Sequence, residues 1–241
     1  MSGEAPAAVW QRPELVEEFL AERSNVLPLL DVQEELVRTI FRRDGRRVGR
    51  FLDIGAGDGA MSELLLDALP GSEALLVDFS EPMLTRAGVR LGRLQGRWST
   101  ARADLRDPRW HEQVPPGPYD AAVSSFAVHH LTAERKRALF AEVFALLAPG
   151  ALLVNMDVVT VQGPLAGLFD ETMAAGAVHA EHARGGTRSD HEVATELLAD
   201  DGEDRPDSAE SQIAWLREAG FADVELHFKW AEGAIFGARR P

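Results

Sequence analysis

The chain has 241 residues, 45% of them hydrophobic and 27% charged, and it contains no cysteine. This length and composition fit one α/β domain, and the lack of cysteine excludes disulfides, thiolate catalysis and cysteine-ligated zinc. A formal net charge of −14 disfavours nucleic acid as the main partner, because a polyanion would be repelled at long range. Without a signal-peptide pattern or an apolar run of ~20 residues, we expect a cytoplasmic protein with no membrane contact.

Helix-like and strand-like segments alternate through the first two thirds of the chain. Residues 14–43 form two amphipathic helices divided at Pro28. In chain order there follow a strand at 50–54, a helix at 60–69, a strand at 74–77, a helix at 81–91, strands at 98–103 and 119–124, a helix at 133–147 and a strand at 151–157. This order predicts a doubly wound, mostly parallel sheet, which binds ligands beyond the carboxyl ends of its strands.

The alternation ends after residue 157. Residues 158–207 are partly helical and end in an acidic run, and they are interpreted as a helical lid insertion. A helix at 208–219 precedes strands at 224–230 and 234–238, which form a terminal antiparallel pair. We therefore predict a single domain over residues 1–241. Its parts are N-terminal lid helices at about 14–43, a core at 50–157, the lid insertion at 158–207 and a C-terminal unit at 208–241.

A glycine-rich loop follows the first predicted strand, with Gly55, Gly57 and Gly59 at alternate positions. Glycines there permit positive φ angles and close approach of a ligand, and the next helix begins with N–H groups suited to an anion. The spacing also fits a dinucleotide fingerprint. Asp53 and Asp58 would repel the diphosphate of NAD(P), however, and would attract the cationic S-adenosylmethionine (SAM). The loop therefore favours SAM.

Two further acids follow the second and third predicted strands. Asp78 lies at the distance from the loop that is typical of a ribose-binding acid, and its carboxylate can accept both ribose hydroxyls. Asp104 is placed to accept a hydrogen bond from the adenine amino group. Phe79, Met83 and Leu105 would enclose the adenine ring. Acids in register after successive strands are unusual for mere helix caps or turns, so they support a nucleoside site.

Together these residues resemble the motifs of class I SAM-dependent methyltransferases. The resemblance rests on Asp53-x-Gly55-x-Gly57-x-Gly59, on the segments 77–84 (VDFSEPML), 103–105 (ADL), 119–131 (YDAAVSSFAVHHL) and 146–151 (LLAPGA), and, near the C-terminus, on 215–221 (WLREAGF). It implies the Rossmann-like fold of that family, with seven strands and a final antiparallel strand. It also implies that Gly55 and Gly57 contact the methionine part of SAM, and that the backbone around Ser124 and Ser125 holds its amino group.

Methyl transfer requires alignment of a nucleophile, and it requires a general base when the acceptor must lose a proton. His129 and His130 follow the fourth predicted strand, where a base could face the acceptor, and His130 is the preferred candidate. Asp157, at the end of the fifth strand, is a candidate for orienting the acceptor. Packing against the sheet or capping of the next helix is the alternative role for the two histidines.

The lid insertion contains further polar clusters. His179 and His182 share a helical face, but no third ligand has a recognisable spacing, so we predict no metal site. Arg184 or Arg188 could form a pocket for a substrate anion. Solvent exposure is the ordinary role for all of them. Trp10 precedes the N-terminal helices and could close over an acceptor.

The function predicted from the sequence is SAM-dependent methylation of an O, N or C atom of a small molecule. Three alternatives remain: an NAD(P)-dependent oxidoreductase, a SAM-binding protein without catalysis, and a tRNA-modifying methyltransferase. The acidic charge disfavours the last. A homodimer through the lid is left open.

Overall fold

The computed structural model describes residues 10–14, 16–17, 20, 27–164, 166–197 and 204–241. The strands are β1 (Arg50–Ile54), β2 (Glu73–Asp78), β3 (Trp98–Arg102), β4 (Tyr119–Ser125), β5 (Leu147–Val158), β6 (Ala222–Trp230) and β7 (Gly233–Arg239). The longer helices are α1 (Leu30–Asp44), α2 (Ala60–Ala68), α3 (Glu81–Arg90), α4 (Ala133–Leu146), α5 (Leu168–Ala183), α6 (Asp190–Leu197) and α7 (Ala209–Glu218). Within these ranges, no helix has the length and hydrophobicity needed to cross a bilayer.

All seven strands form one sheet in the order β3-β2-β1-β4-β5-β7-β6. The first five are parallel, whereas β7 runs antiparallel to both β5 and β6. The doubly wound sheet and the terminal antiparallel pair predicted from the sequence are therefore confirmed. The strand order reverses between β1 and β4, so a crevice opens beyond their carboxyl ends.

Side chains of successive strand residues pack on opposite faces of the sheet. In β1, Phe51 packs in a layer with α1, α2 and α3, whereas Leu52 packs with α4 and α7. Both β1 side chains are fully buried. Burial on both faces explains why the parallel strands read as continuous apolar runs. It also forces polar groups to the strand ends, where the crevice lies.

The sequence predicts helix α1 as part of a lid, whereas in the structure it packs on the sheet. Val37 and Phe41 are almost completely buried in the layer that covers the sheet, so α1 belongs to the core. The helix begins two residues after Pro28, whose carbonyl oxygen accepts a hydrogen bond from Gln33 Nε2 at 2.9 Å. The predicted division at Pro28 therefore agrees with the structure. Of the first helix, residues 13, 14, 16, 17 and 20 are described and helical.

The insertion leaves and re-enters the core at neighbouring points. Thr160 forms an isolated parallel bridge with Ser208, so the two ends of the segment meet. The Glu232 carboxylate, in the turn between β6 and β7, accepts hydrogen bonds from the backbone N–H groups of Gly167 and Phe169 at 2.5 and 2.9 Å. A carboxylate at the start of α5 satisfies its first N–H groups and complements the helix dipole. The insertion is therefore anchored to the sheet on both sides.

Candidate active site

A cavity of about 520 Å³ lies beyond the carboxyl ends of the strands. Its volume falls within the range of roughly 300–1,000 Å³ that is typical of small-molecule sites. The loops after β1, β2, β3 and β4 all contribute to its lining, as do Trp10, Leu20 and Leu27 of the N-terminal segment and Arg205 at the end of the insertion. The site thus forms at the predicted edge of the sheet, covered by the two segments outside the core.

The glycine loop lines one wall of this cavity. Gly55 has a φ of +66°, and a Cβ there would lie 2.3 Å from the Cβ of Ala127, so only glycine fits. Gly57 also has a positive φ, but the nearest atom to a Cβ would be Met83 Sδ at 3.9 Å. Gly59 lies outside the lining, and a Cβ there would lie 3.0 Å from Leu76 of β2 and 3.2 Å from Ala87 of α3. It therefore permits the close packing of α3 on the sheet, and its contact with the cofactor stays a prediction.

Asp78 ends β2 and reaches the cavity beside the loop. Its Oδ2 accepts the backbone N–H of Gly57, and its Oδ1 accepts that of Ser80, each at 2.8 Å. Burial raises the pKa of Asp78 above its usual value, although the backbone hydrogen bonds oppose the shift. Each carboxylate oxygen retains a second lone pair that could accept from a ligand hydroxyl.

The residues predicted to surround adenine all line the same cavity. They are Phe79, Met83, Asp104 and Leu105. The Asp104 carboxylate accepts hydrogen bonds from the side chain of Arg106, at 2.7 Å from Nη2 and 2.9 Å from Nε. The Arg106 guanidinium also lies 5.0 Å from the centre of the Phe79 ring. Asp104 is therefore held in place by a cation, and its acceptance of the adenine amino group remains a prediction.

Asp53 at the end of β1 and Asp58 within the glycine loop are each compensated by a protein partner. Asp53 is fully buried outside the cavity lining, and its carboxylate accepts a 2.6 Å hydrogen bond from Ser62 Oγ. Burial raises the pKa of Asp53 to about 7. Asp58 lines the cavity but is paired with Arg90, whose Nη2 lies 2.5 Å from Oδ2. The cofactor contact of Asp53 stays a prediction, and Asp78 is the acid of this region that lines the cavity without an arginine partner among the described residues.

Ser124 and Ser125 end β4, and the backbone around them is predicted to hold the SAM amino group. Their side chains have different surroundings. Ser124 is buried, and its hydroxyl donates to the carbonyl of Ile54 at 2.7 Å, so its side chain joins β4 to β1. Ser125 lines the cavity. The Ser124 side chain therefore supports the strand pairing and Ser125 lies at the cavity, while the contact of the backbone here with the SAM amino group stays a prediction.

His129 is buried in a network that joins the core to the end of the insertion. Its Nδ1 lies 2.5 Å from Asp157 Oδ1, and its Nε2 lies 3.4 Å from Asp204 Oδ1. Burial lowers the pKa of His129, but attraction and hydrogen bonding from these carboxylates outweigh it and raise the pKa to about 9. Neither His129 nor Asp157 lines the cavity. In this structure the two residues pair with each other away from the cavity, so the geometry gives no support to the predicted roles of His129 as a base and of Asp157 in orienting the acceptor.

His130 occupies the position expected for a base. It lines the cavity, and its Nδ1 lies 3.0 Å from Asp204 Oδ1. The angle is not that of a well-formed hydrogen bond, and such contacts commonly tighten when ligands bind. Both histidines lower the pKa of Asp204, so this carboxylate is anionic. Trp10 also lines the cavity, with its ring centre 6.3 Å from that of His130.

Atoms of His129, His130 and Asp204 lie within 4.8 Å of one another, close enough to share a metal ion. Both ring nitrogens of His129 and Nδ1 of His130 face a carboxylate that can pair with them directly. We therefore interpret the group as a proton and charge network. Among the described residues, His179 and His182 form no such group.

Comparison with known proteins agrees with the geometry. A family model described as a methyltransferase domain matches residues 52–153. A demethylmenaquinone methyltransferase from Clavibacter sepedonicus is 31% identical over 177 residues, covering 73% of this chain and 66% of the relative. The chain belongs to the class I SAM-dependent methyltransferase family. An uncharacterized methyltransferase from Mycobacterium tuberculosis is 33% identical over 109 residues, or 45% of this chain and 50% of the relative.

This methyltransferase spans about half the length of the first curated relatives that it matches. The fold extends further than the sequence similarity. Human N-acetylserotonin methyltransferase in complex with SAM superimposes with a TM-score of 0.66 at 16% identity, covering 100% of this chain and 60% of that structure. The similarity supports the fold of the described residues, including those outside the matched domain.

The donor groups of the cavity suit the family's cofactor, SAM. Gly55 and Gly57 leave the loop backbone open to a ligand, and the buried Asp78 offers acceptors to paired hydroxyls. Met83 and Leu105 give an apolar wall for a base. These features match a cationic nucleoside better than a diphosphate, and they agree with the family assignment against the oxidoreductase alternative.

The two arginines predicted to form an anion pocket lie outside the cavity lining, next to Glu181. Arg188 Nη2 contacts Glu181 Oε2 at 2.8 Å, and Arg184 Nη2 lies 3.5 Å from the same oxygen. Neither arginine lines the cavity. The cavity therefore gives no support to the predicted substrate-anion role of these two arginines.

Two residues of the methyltransferase site were missed by sequence reasoning. Asp204 and Arg205 reach the cavity region from the end of the insertion, far along the chain from His130. They lie within an acidic run that resembles a solvated loop. Its lone arginine was the only available signal, because contacts between distant segments leave no local spacing.

Proposed function

We propose that this methyltransferase transfers the methyl group of SAM to an O, N or C atom of a small molecule. The supporting observation is a single cavity lined by both the nucleoside-binding residues and a histidine paired with an acid. Gly57 and Asp78 lie in the same lining as His130, with Asp204 directly behind the histidine. A cofactor and an acceptor can therefore meet within one enclosed volume.

When bound, SAM supplies a methyl group that is already activated by its sulfonium. The protein must therefore align the acceptor and exclude water. Trp10, Leu20 and Leu27 give the cavity an apolar cover. Asp78 holds the nucleoside, and the glycine loop lets the cofactor come close to the backbone at the end of β1.

His130 acts as the general base when the acceptor is a hydroxyl or a protonated amine. Its Nδ1 faces the anionic Asp204, so Nε2 is the nitrogen that takes the acceptor proton. The Asp204 carboxylate then stabilises the imidazolium that forms. An acceptor that attacks without losing a proton would not need this step, and the base then only positions it.

A small-molecule acceptor fits the size of the cavity and the charge of the chain. A cavity of about 520 Å³ accommodates cofactor and metabolite, and a net charge of −14 opposes binding of tRNA. Names of similar proteins, such as N-acetylserotonin methyltransferase and demethylmenaquinone methyltransferase, also refer to small molecules.

Binding and transfer can be tested in sequence. Calorimetry should detect SAM and its demethylated product but not NAD(P). Incubation with isotopically labelled SAM and a fractionated metabolite extract should then give a labelled small molecule, identified by mass spectrometry. Cofactor binding with no transfer to any fraction would support the non-catalytic alternative, and label in tRNA would support the nucleic-acid alternative.

A further inference from the structure

Three arginines line the cavity, and two of them are already committed to carboxylates. Arg106 holds Asp104, and Arg135 Nη1 donates to Glu142 Oε1 at 2.9 Å. Arg135 Nε also donates to the Leu105 carbonyl at 2.6 Å. These side chains hold the loop after β3 against α4, so their charges are compensated within the protein.

Arg205 is different. Its guanidinium forms no hydrogen bond or ion pair within the described part of the chain, although the residue lines the cavity. Its backbone is nevertheless fixed: its N–H donates to the His129 carbonyl at 2.9 Å, and its carbonyl accepts from Lys136 Nζ. The buried Lys136 ammonium also contacts Asp207 Oδ2 at 2.6 Å. The main chain of Arg205 is therefore held in place at the cavity lining, and its guanidinium has no carboxylate partner among the described residues.

The position of Arg205 selects what it can bind. It follows Asp204, which contacts His130, and its own N–H donates to the His129 carbonyl, so its backbone lies at the histidine side of the cavity. Apolar groups of the cover, among them Leu27 and Trp10, line the same cavity. An anion there needs a local cation, because charges beyond about 8 Å are screened and the chain as a whole is acidic. A guanidinium offers a carboxylate two parallel hydrogen bonds.

We propose that Arg205 binds a carboxylate on the methyl acceptor, so that the acceptor is a small organic acid with an apolar body. This inference rests on the proposed function, since it assigns the acceptor end of that cavity. The carboxylate of SAM itself is the other source of the same chemistry. Proximity to His130 favours the acceptor, and binding measurements separate the two.

The test uses the full chain saturated with the demethylated product of SAM. The probes are matched aryl carboxylic acids and their primary amides: salicylate with salicylamide, 4-hydroxyphenylacetate with 4-hydroxyphenylacetamide, and indole-3-acetate with indole-3-acetamide. Thermal shift and calorimetry compare wild type with Arg205→Gln, Arg205→Lys and the control Arg184→Gln, which lies outside the cavity. Cofactor affinity is measured separately for each variant.

We expect the wild type and Arg184→Gln to bind acids at least tenfold more tightly than the matched amides. Arg205→Gln should abolish that preference without changing cofactor affinity, and Arg205→Lys should retain part of it. The inference is overturned if no acid is preferred, if the preference survives in Arg205→Gln, or if cofactor affinity falls instead. Failure of the wild type to bind the cofactor would count against the proposed function, not against the role of Arg205 alone.

Discussion

The backbone N–H of Gly57 donates to Asp78 Oδ2 across 2.8 Å, which joins the glycine loop after β1 to the end of β2. The same carboxylate accepts from Ser80 N, at the first turn of α3. One buried acid therefore orients two segments that face the cavity and still offers lone pairs to a ligand. Its substitution should reveal whether the cavity binds a nucleoside through this group.

Asp78→Asn should weaken SAM binding. The amide would present N–H donors toward a backbone donor or a ribose hydroxyl, leaving a group unpaired at a cost of about 1–3 kcal/mol, or roughly 5- to 150-fold in affinity. Calorimetry with SAM measures the change. Asp67→Asn, which removes an exposed acid on α2, is the control and should leave affinity unaltered. Equal affinities for all three proteins would remove Asp78 from the ribose site.

Gly55→Ala should impair cofactor binding by closing the loop. The new Cβ would meet the Cβ of Ala127 at 2.3 Å, whereas a Cβ at Gly71 would meet no atom within 4 Å. Both residues have positive φ, so Gly71→Ala carries the same kind of backbone cost, about 1–2 kcal/mol, without the clash. Melting temperature and SAM affinity should separate the two effects. If Gly71→Ala loses as much affinity as Gly55→Ala, backbone strain alone explains the loss.

His130→Ala should reduce turnover while leaving SAM affinity nearly unchanged. Removal of a general base commonly costs ~10²–10⁴ in rate, provided that the acceptor loses a proton. The lid offers a matched control: His182 Nε2 lies 3.0 Å from Asp190 Oδ1, the same distance as in the His130 pair, but outside the cavity. His182→Ala should therefore retain activity. Full activity of His130→Ala would exclude this residue as the base.

Asp53 should make the protein less stable as the pH rises from about 4 to about 7. Its folded-state pKa is about 7, above its unfolded value. Over this interval the carboxyl ionises in the unfolded chain but stays protonated in the folded chain, so the free energy of unfolding falls as the pH rises. The penalty above pH 7 is on the order of 4 kcal/mol. Urea unfolding across this range should show a downward trend that Asp53→Asn reduces. An unchanged slope in the variant would rule out a buried, titrating Asp53.

His129 should contribute stability in a higher pH window. Its folded-state pKa of about 9 exceeds its unfolded value of about 6.5, so its contribution is complete below about pH 6.5 and is lost as the pH rises through 9. Asp204→Asn should weaken this dependence by removing one of the carboxylates that hold the proton. Melting temperatures between pH 6 and 10 measure it. A steeper fall in the variant than in the wild type would contradict the assigned network.

The sequence was sufficient for the fold and for much of the cofactor side. Strand ends are fixed by local patterns, so Asp78 and Asp104 could be placed in the cavity from their positions after β2 and β3. The same patterns do not show which of two adjacent strand residues directs its side chain to the cavity. Ser124 turns into the sheet while Ser125 lines the cavity, because successive side chains of a strand face opposite ways.

The acceptor side of the cavity could not be predicted in full from the sequence, because its residues meet through contacts between segments that are far apart in the chain. His129 and His130 are adjacent, yet one is sealed against Asp157 and the other lines the cavity, because the turn after β4 directs them differently. Asp204, which contacts both histidines, comes from the far end of the insertion. The sequence around Asp204 is that of an acidic surface loop, so its contacts with the histidines can be seen only in the folded structure.

A crystal structure with the demethylated product of SAM tests the central claim most directly. The account predicts that the nucleoside lies in the cavity, with its ribose hydroxyls about 2.6–3.2 Å from the Asp78 carboxylate and its sulfur open toward the His130 side. A nucleoside bound elsewhere on the chain, or a ribose that makes no contact with Asp78, would contradict it.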